Sequence, residues 1–432
     1  MKSVSFEGTD GDDDAVVPGD DGALDDEATA GHPVVPLLEP ADGVPAVIDS
    51  PAALAAAIAA FESGTGPVAV DAERASGYRY GQRTYLVQLR REGAGTVLID
   101  PVALPDLSGL SRALVGVEWV LHAASQDLPG LAEQGMRPSR VFDTELAARL
   151  LGMERVGLAA VVAETLGLGL AKEHSAVDWS TRPLPLEWLR YAALDVELLV
   201  PVREVLADRL AEAGKAVWAA EEFEAGRTAP PPAVKADPWR RVSGLHAIHD
   251  ARRLAVVRSL WETRDHNARQ RDIAPGRVLP DRAIVAAAEA LPHSVPQLVA
   301  LPAFAGKGTR RRAALWQAAI DRALALPDDQ LPSVRGPRTD APPPIRAWSD
   351  RDPRAAARLA AARVVVQETS EIWHTPVENL LQPDLLRRLC WSPPLPMDVL
   401  SVAETLTAGG ARHWQVELLG ERLAAALQQA SV

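Results

Sequence analysis

The chain has 432 residues, a formal net charge of −13 and a hydrophobic fraction of 47%, enough for two to four domains at roughly 100–200 residues each. Its single cysteine, Cys390, excludes an intrachain disulfide and a cysteine-based zinc site, and favours a reducing compartment. The opening MKSVSFEGTDGDDD lacks the apolar stretch of a secretory signal, and no uninterrupted apolar run approaches the roughly 20 residues that span a bilayer, so a cytoplasmic protein with no membrane partner is expected.

Charge is unevenly spread. Residues 1–40 hold eleven acids against one lysine; so acidic a stretch buries too little apolar surface to offset chain entropy and is expected as a disordered acidic tail. Residues 41–226 read as an α/β unit. Pro67–Glu73 (PVAVDAE), Tyr85–Arg91 (YLVQLRR) and Thr96–Asp100 (TVLID) form a three-strand meander, and Glu118–Ala123 (EWVLHA) a further buried strand. Helical spacing covers 106–116, 125–134, 144–151, 157–167 and 185–212. A meander followed by alternating strands and helices implies a mixed sheet flanked by helices. A Pro-rich linker, 227–238, leads to residues 239–325, where fifteen Lys/Arg face seven acids, a net of +8 in an otherwise acidic chain. A second Pro-rich linker, 326–344, precedes residues 345–432. Both of these segments show only helical patterns broken by Pro and Gly, which reads as two small bundles.

Four carboxylates fall where chemistry would want them, although each has an ordinary reading by itself. Asp71 and Glu73 end the first strand, and alternation puts both side chains on one face of the sheet. Two carboxylates there repel unless a cation binds between them, and hard oxygen donors suit Mg²⁺ or Mn²⁺; an isolated DxE is more often a solvated strand end. Asp127 follows WVLHA at the start of a helix, where a carboxylate is also a plain dipole partner and Ser125 a candidate cap. Tyr191 and Asp195 share one face of the largely apolar helix EWLRYAALDVELLVPV, so the aspartate needs a partner or a metal. A Tyr–Asp hydrogen bond that merely holds the helix is the alternative. Together the five residues suit a site for two cations, roughly 3.5–4 Å apart, that clamp the attacking and leaving oxygens of phosphoryl transfer. The tyrosine hydroxyl would hold the attacking water.

The order DxE, HAxxxDL, YxxxD is accompanied by YLVQL, VLIDP at Val97–Pro101, LHAASQDL, FDTELAARLLG at Phe142–Gly152 and VDWSTRPLPLEWLRYAALDV at Val177–Val196. This set resembles the tyrosine-type branch of the DEDD superfamily of 3′–5′ exonucleases, and within it the ribonuclease D family, over residues 45–215. The resemblance implies an α/β ribonuclease H-like exonuclease domain with a mixed sheet, followed by two small all-α domains, HRDC at 239–325 and HRDC-like at 345–432. It implies a metal-dependent exoribonuclease that releases nucleoside 5′-monophosphates from RNA 3′ ends, with tRNA precursors as the natural substrate and two divalent cations, Mg²⁺ or Mn²⁺, as cofactors. No obligate protein partner is implied. The roles that carry over are Asp71 bridging both metals, Glu73 and Asp195 on the metal that activates water, Asp127 on the second, and Tyr191 orienting the water. Arg74 stands where many relatives have a bulky apolar residue; alternation points it to the face opposite the acids, to contact a phosphate or pair with a tail acid.

Other residues carry weaker signals. His122 reads as a satisfied buried histidine or as a site contact. Gln88 reads as an amide that ties the backbone together, Asp143 as a helix cap with Thr144 as an alternative, and Trp179 as packing. Arg182 reads as a partner for an acid or as a contact to the strand being cut. In the basic segment Arg252, Arg253, Arg258, Arg264, Arg269 and Arg271 lie mostly off the apolar face, and GKGTRRR brings Lys307, Arg310, Arg311 and Arg312 to a helix start suited to a phosphate backbone. With aromatics at 5%, base stacking is a poor main mode and electrostatic, salt-sensitive contacts are expected. Arginines that merely solubilise a bundle are the ordinary reading. Three rival functions stand beside the exoribonuclease: a DNA exonuclease using the same five residues, a non-catalytic RNA-binding module, and a small-substrate hydrolase, in which the basic segment would have no purpose.

Overall fold

A computed structural model of the chain describes residues 34–170, 176–230, 236–336 and 340–431. Its strands are β1 (Val35–Leu37), β2 (Val47–Ile48), β3 (Thr65–Arg74), β4 (Thr84–Glu92), β5 (Gly95–Ile99), β6 (Glu118–Leu121), β7 (Arg140–Asp143) and β8 (Leu168–Leu170). Six of them form a mixed sheet in the order β2-β5-β4-β3-β6-β7, while β1 and β8 pair in parallel on their own. The meander β3–β4–β5 is antiparallel, as expected, and β6 joins β3 in parallel. With a partner on each side, β3 is a central strand, which is why Val68, Ala69 and Val70 are all fully buried.

Helices α1 (Pro51–Ser63), α2 (Ser108–Ala113), α3 (Leu128–Glu133), α4 (Thr144–Leu150), α5 (Leu158–Leu166), α6 (Leu186–Glu197), α7 (Leu199–Glu212) and α8 (Ala216–Thr228) clothe this sheet. On one face Val68, Val70 and Ala72 pack with Leu54 and Phe61 of α1, Leu110 of α2 and Leu131 of α3. On the other, Ala69 joins Val196, Leu199 and Val202 of α6 and α7. Asp71 and Glu73 share the parity of Ala69 on the strand, so α6 lies over them.

Several expectations are corrected. The single helix read over 185–212 is two helices meeting at Leu198, because Pro201 has no N–H to offer the Glu197 carbonyl and its ring crowds that turn. The chain is ordered before residue 40: Val35–Leu37 pairs with β8, and Glu39 pairs with Arg190 at 2.8 Å. Leu37 packs on the nuclease core while Val34, Val35 and Leu38 stay exposed, so strand pairing and the Glu39 ion pair hold this stretch, and residues 1–33 lie outside the described residues. Helices α1 and α8 and the short strands β1, β2, β7 and β8 were not legible. Strands of two to four residues are too short to show alternation, and the alanines of PAALAAAIAAFES blur the contrast between its faces. Parts of both linkers, 231–235 and 337–339, are also outside the described residues. Leu326 and Leu331, at the start of the second, pack on the core of the segment before it.

The basic segment folds as α9 (Ala251–Arg271), α10 (Pro275–Val278), α11 (Asp281–Ala290), α12 (Val295–Ala300), α13 (Lys307–Arg311) and α14 (Ala313–Leu324), around its own core of Trp239, Leu260, Phe304 and Trp316. It docks on the loop between β3 and β4. There the Tyr80 hydroxyl donates to Asp265 at 2.8 Å, the Ala274 amide donates to the Tyr78 carbonyl at 2.9 Å, and Arg277 Nε donates to the Gly77 carbonyl at 2.6 Å. The final segment, built on Pro353–Trp373 and His413–Gln429, is helical as expected, and its core is continuous with that of the nuclease helices. Its Leu359, Leu386, Leu419 and Leu423 belong to the cluster that contains α4, α7 and α8. Trp218 of α8 stacks on Trp414 at 4.5 Å, and the buried Lys215 donates to the carbonyls of Leu150 and Trp373 at 2.6 Å each. Among the described residues no helix is long and apolar enough to cross a membrane.

Candidate active site

Asp71, Glu73, Asp127, Tyr191 and Asp195 line one cleft of about 430 Å³ at the C-terminal end of β3. One carboxylate oxygen from each of Asp71, Glu73 and Asp195 lies within 4.8 Å of the others. Asp127 lies against Asp71 in the same cleft, close enough for the two carboxyls to share a proton, while the Tyr191 hydroxyl bonds to Asp195 one turn along α6. Trp179, fully buried, packs beside the Tyr191 ring at 6.4 Å between centroids. The strand thus supplies two acids at alternate positions and the helix supplies Tyr191 and Asp195 by its i, i+4 geometry.

Placing Asp127 takes a more elaborate device. After β6 the chain turns sharply at Ala123, whose φ of 57° is left-handed, into a short 3₁₀ turn over Ala124–Gln126 that delivers Asp127 to the cleft. Asp143, at the end of the neighbouring β7, holds that turn. Its carboxylate accepts from the backbone N–H groups of Ala123 (3.1 Å) and Ala124 (2.8 Å), and also caps α4 by accepting from those of Glu145 (3.0 Å) and Leu146 (3.2 Å). The expected cap is present, and the same side chain is a brace for the second motif. Thr144 turns the other way, donating to the Leu121 carbonyl at 3.2 Å.

Burial raises the carboxyls of Asp71, Glu73, Asp127 and Asp195 above the ordinary range, and repulsion among them adds to the effect for Glu73, Asp127 and Asp195. Burial also raises the Tyr191 hydroxyl, with the neighbouring acids reinforcing it. Four acids so close together, Asp127 and Asp195 buried and Asp71 and Glu73 half-buried, retain protons at a pH where free carboxyls are ionised, unless cations compensate their charge. The donors are all oxygens, which fits hard divalent cations such as Mg²⁺ or Mn²⁺ and disfavours softer metals that seek nitrogen or sulfur.

The remaining sequence candidates divide. Arg74 is not on the opposite face: a register shift between Glu73 and Arg74 breaks the alternation, and the guanidinium lines the cleft with its Nη2 3.4 Å from Gln126 Oε1. There it opposes the upward shifts of Asp71 and Asp127. His122 both lines the cleft and is satisfied, with Nδ1 2.9 Å from the Thr144 hydroxyl; burial pushes its pKa down to about 4. Gln88 does not tie the backbone. Its Nε2 donates to Asp71 Oδ2 at 3.0 Å, a contact between strands that a sequence does not announce.

Of the two readings of Arg182 the partner for an acid is borne out, and the nucleic-acid contact is corrected. Its guanidinium grips Asp100 through Nε (2.7 Å) and Nη2 (2.8 Å) and donates to the carbonyls of Trp179, Thr181 and Tyr85. Arg252 is corrected likewise, because it pairs with Asp328 and donates to the carbonyls of Leu324, the last residue of α14, and of Leu326 just beyond it. Arg264 is buried against Asp281 and the Leu279 carbonyl, and Arg269 bonds to Tyr80 and Asp265. Long guanidinium side chains reach partners that are distant in sequence, so sequence position does not separate a structural arginine from a free one. Lys307, Arg310 and Arg311 are exposed, and among the described residues no intramolecular hydrogen bond or ion pair engages their side chains or those of Arg253 and Arg312.

Three family models match the chain: a 3′–5′ exonuclease over residues 45–211, an HRDC domain over 253–320, and a 3′ to 5′ exonuclease C-terminal domain over 341–427. Ribonuclease D of Acidiphilium cryptum is 33% identical over 294 residues, which cover 64% of this chain and 72% of that protein. A protein of Bifidobacterium adolescentis has a similar crystal structure, with a TM-score of 0.84 and 41% identity over 91% of this chain and all of that one. The crystal structure of Escherichia coli RNase D, described as an exoribonuclease involved in structured RNA processing, is similar with a TM-score of 0.64 and 26% identity over 89% of this chain and 98% of that one.

Proposed function

Since the chain belongs to the ribonuclease D family and is a 3′–5′ exoribonuclease, we propose that Asp71, Glu73, Asp127, Tyr191 and Asp195 form its active site. The observation that carries this reading is the convergence of four carboxylates and one tyrosine, from three separate stretches of chain, on a single cleft. The four acids would hold two divalent cations, Mg²⁺ or Mn²⁺, which when bound neutralise the scissile phosphate and make a water nucleophilic. Asp71, grouped with Glu73 and Asp195 and also against Asp127, would serve both cations. Tyr191 keeps its proton, because burial and the neighbouring acids raise its pKa, and its hydroxyl orients the attacking water by a hydrogen bond. The oxygen of that water bonds to the terminal phosphorus as the bond to the 3′ oxygen of the penultimate nucleotide breaks. A nucleoside 5′-monophosphate leaves, and the shortened RNA ends in a 3′ hydroxyl.

The working division is a nuclease domain at 41–226, the HRDC domain at 239–325 and the second helical domain at 345–432. Lys307, Arg310, Arg311, Arg312 and Arg253 would contact the phosphates of the RNA body, and Arg74 those nearest the cleft. The proposed substrate is a folded RNA with a 3′ extension, a tRNA precursor above all, in the cytoplasm. The test is trimming of a labelled 3′-extended tRNA precursor beside a DNA of matched sequence, with Mn²⁺ or Mg²⁺. The RNA should shorten stepwise from its 3′ end, faster than the DNA, and Asp195→Ala should abolish this. RNA left intact with either metal, or an Asp195→Ala variant that trims normally, would overturn the reading.

A further inference from the structure

Gln88 makes a direct bond to the proposed metal site without lining the cleft. It stands opposite Asp71 in the β3–β4 register, is fully buried, and donates from Nε2 to Asp71 Oδ2 at 3.0 Å. Its Oε1 is also buried and finds no hydrogen-bond partner among the described residues. We propose that Gln88 is a positioning residue for the metal-bridging carboxylate, fixing the rotation of Asp71 so that its free lone pairs face the cleft. This rests on the active site proposed above.

The geometry makes the case in three steps. The terminal torsion of an aspartate is broad and roughly two-fold, so the backbone of β3 alone does not fix where its oxygens point. A donor on Oδ2 removes that freedom while leaving Oδ1 and the second lone pair of Oδ2 for other partners. The other close side chains are poorly suited to this: Glu73, Asp127 and Asp195 are themselves acids. A neutral donor is also the appropriate kind, because a lysine or arginine at this position would supply the positive charge that a cation should supply.

Fold stability points the same way. A buried amide with one end unpaired disfavours folding, and an apolar side chain of equal length would avoid that penalty. Gln88 is therefore poorly explained as a device for the core and well explained as a partner for Asp71. Groups that orient metal ligands typically change metal affinity by about 10–100-fold when removed.

The test is direct Mn²⁺ binding to the full chain, by calorimetry or by the electron paramagnetic resonance of free Mn²⁺, with thermal melting of the metal-free protein. Gln88→Met keeps length and flexibility but has no donor, and Gln88→Leu is a second donor-less variant. Both should bind Mn²⁺ about 10-fold or more weakly, and the metal-free Met variant should melt at or above the wild-type temperature. Wild-type Mn²⁺ affinity in both variants, or a clearly lower melting temperature that marks Gln88 as support for the fold, would overturn the inference. Asp71→Ala separates this from failure of the site itself. If Asp71→Ala binds Mn²⁺ as tightly as wild type, the active-site reading fails. If it loses binding while the Gln88 variants keep theirs, only the positioning role fails.

Discussion

Replacing Asp143 by alanine should both weaken the fold and disturb the cleft. The substitution strips partners from the buried N–H groups of Ala123 and Ala124 and removes the cap of α4. An unsatisfied buried donor costs about 1–3 kcal/mol and a lost N-cap about 1 kcal/mol. Burial raises the Asp143 carboxyl, so removing a poorly solvated charge recovers part of that loss, and a net destabilisation of about 3 kcal/mol is expected. At about 2–4 °C per kcal/mol for a unit of this size, melting should fall by about 6–12 °C. Asp143→Asn keeps the Oδ1 contacts but turns an amide N–H₂ towards the Ala124 N–H, so it should fall between alanine and wild type. Differential scanning calorimetry at pH 7 measures the shift, and Mn²⁺ titration of the folded variant reads the displacement of Asp127. A melting temperature for Asp143→Ala within 2 °C or so of wild type would refute the idea that this carboxylate braces the turn.

Three further outcomes follow from the same geometry. His122 is neutral in the fold, its pKa pushed to about 4 by burial, against an unfolded value near 6.5. Its contribution is therefore complete above about pH 6.5 and is lost as pH falls towards 4, by up to about 3 kcal/mol; His122→Gln should be less acid-sensitive than wild type, and identical pH dependence would rule this out. Lys215→Met removes the ammonium that joins Leu150 of the nuclease to Trp373 and Thr375 of the final segment. Stability should drop by about 2 kcal/mol, with faster proteolysis of the final segment, and unchanged melting and digestion would count against that latch. Lys307→Ala, Arg310→Ala and Arg311→Ala combined should weaken RNA binding and lower the slope of log affinity against log salt by about 2, at about 0.7 per phosphate contact on a single strand. An unchanged slope would show that these side chains do not meet phosphate.

The local spacings DxE, HAxxxDL and YxxxD are enough to recognise the chemistry, because strand alternation and the helical i, i+4 repeat convert them into shared faces without reference to the rest of the molecule. The meander and the helical character of the last two segments are legible for the same reason, since they rest on short-range periodicity. Other features depend on contacts between distant parts of the chain. Alternation sends Arg74 away from the acids, and only a register shift against β4 brings it back. Arg182 reads as an acid's partner or a strand contact, and Arg252 as a phosphate contact, until Asp100 and Asp328 are seen to hold them. Gln88 meets Asp71 only because β3 and β4 pair in one register, and the final segment shares a core with α4, α7 and α8 although a Pro-rich stretch and a whole bundle separate them in sequence. Local spacing alone set the kinds of chemical groups and the faces that carry them. Which cations remain free for RNA, which neutral donor meets Asp71 and where one core ends were decided by tertiary packing, because those outcomes depend on the partner each side chain finds across space.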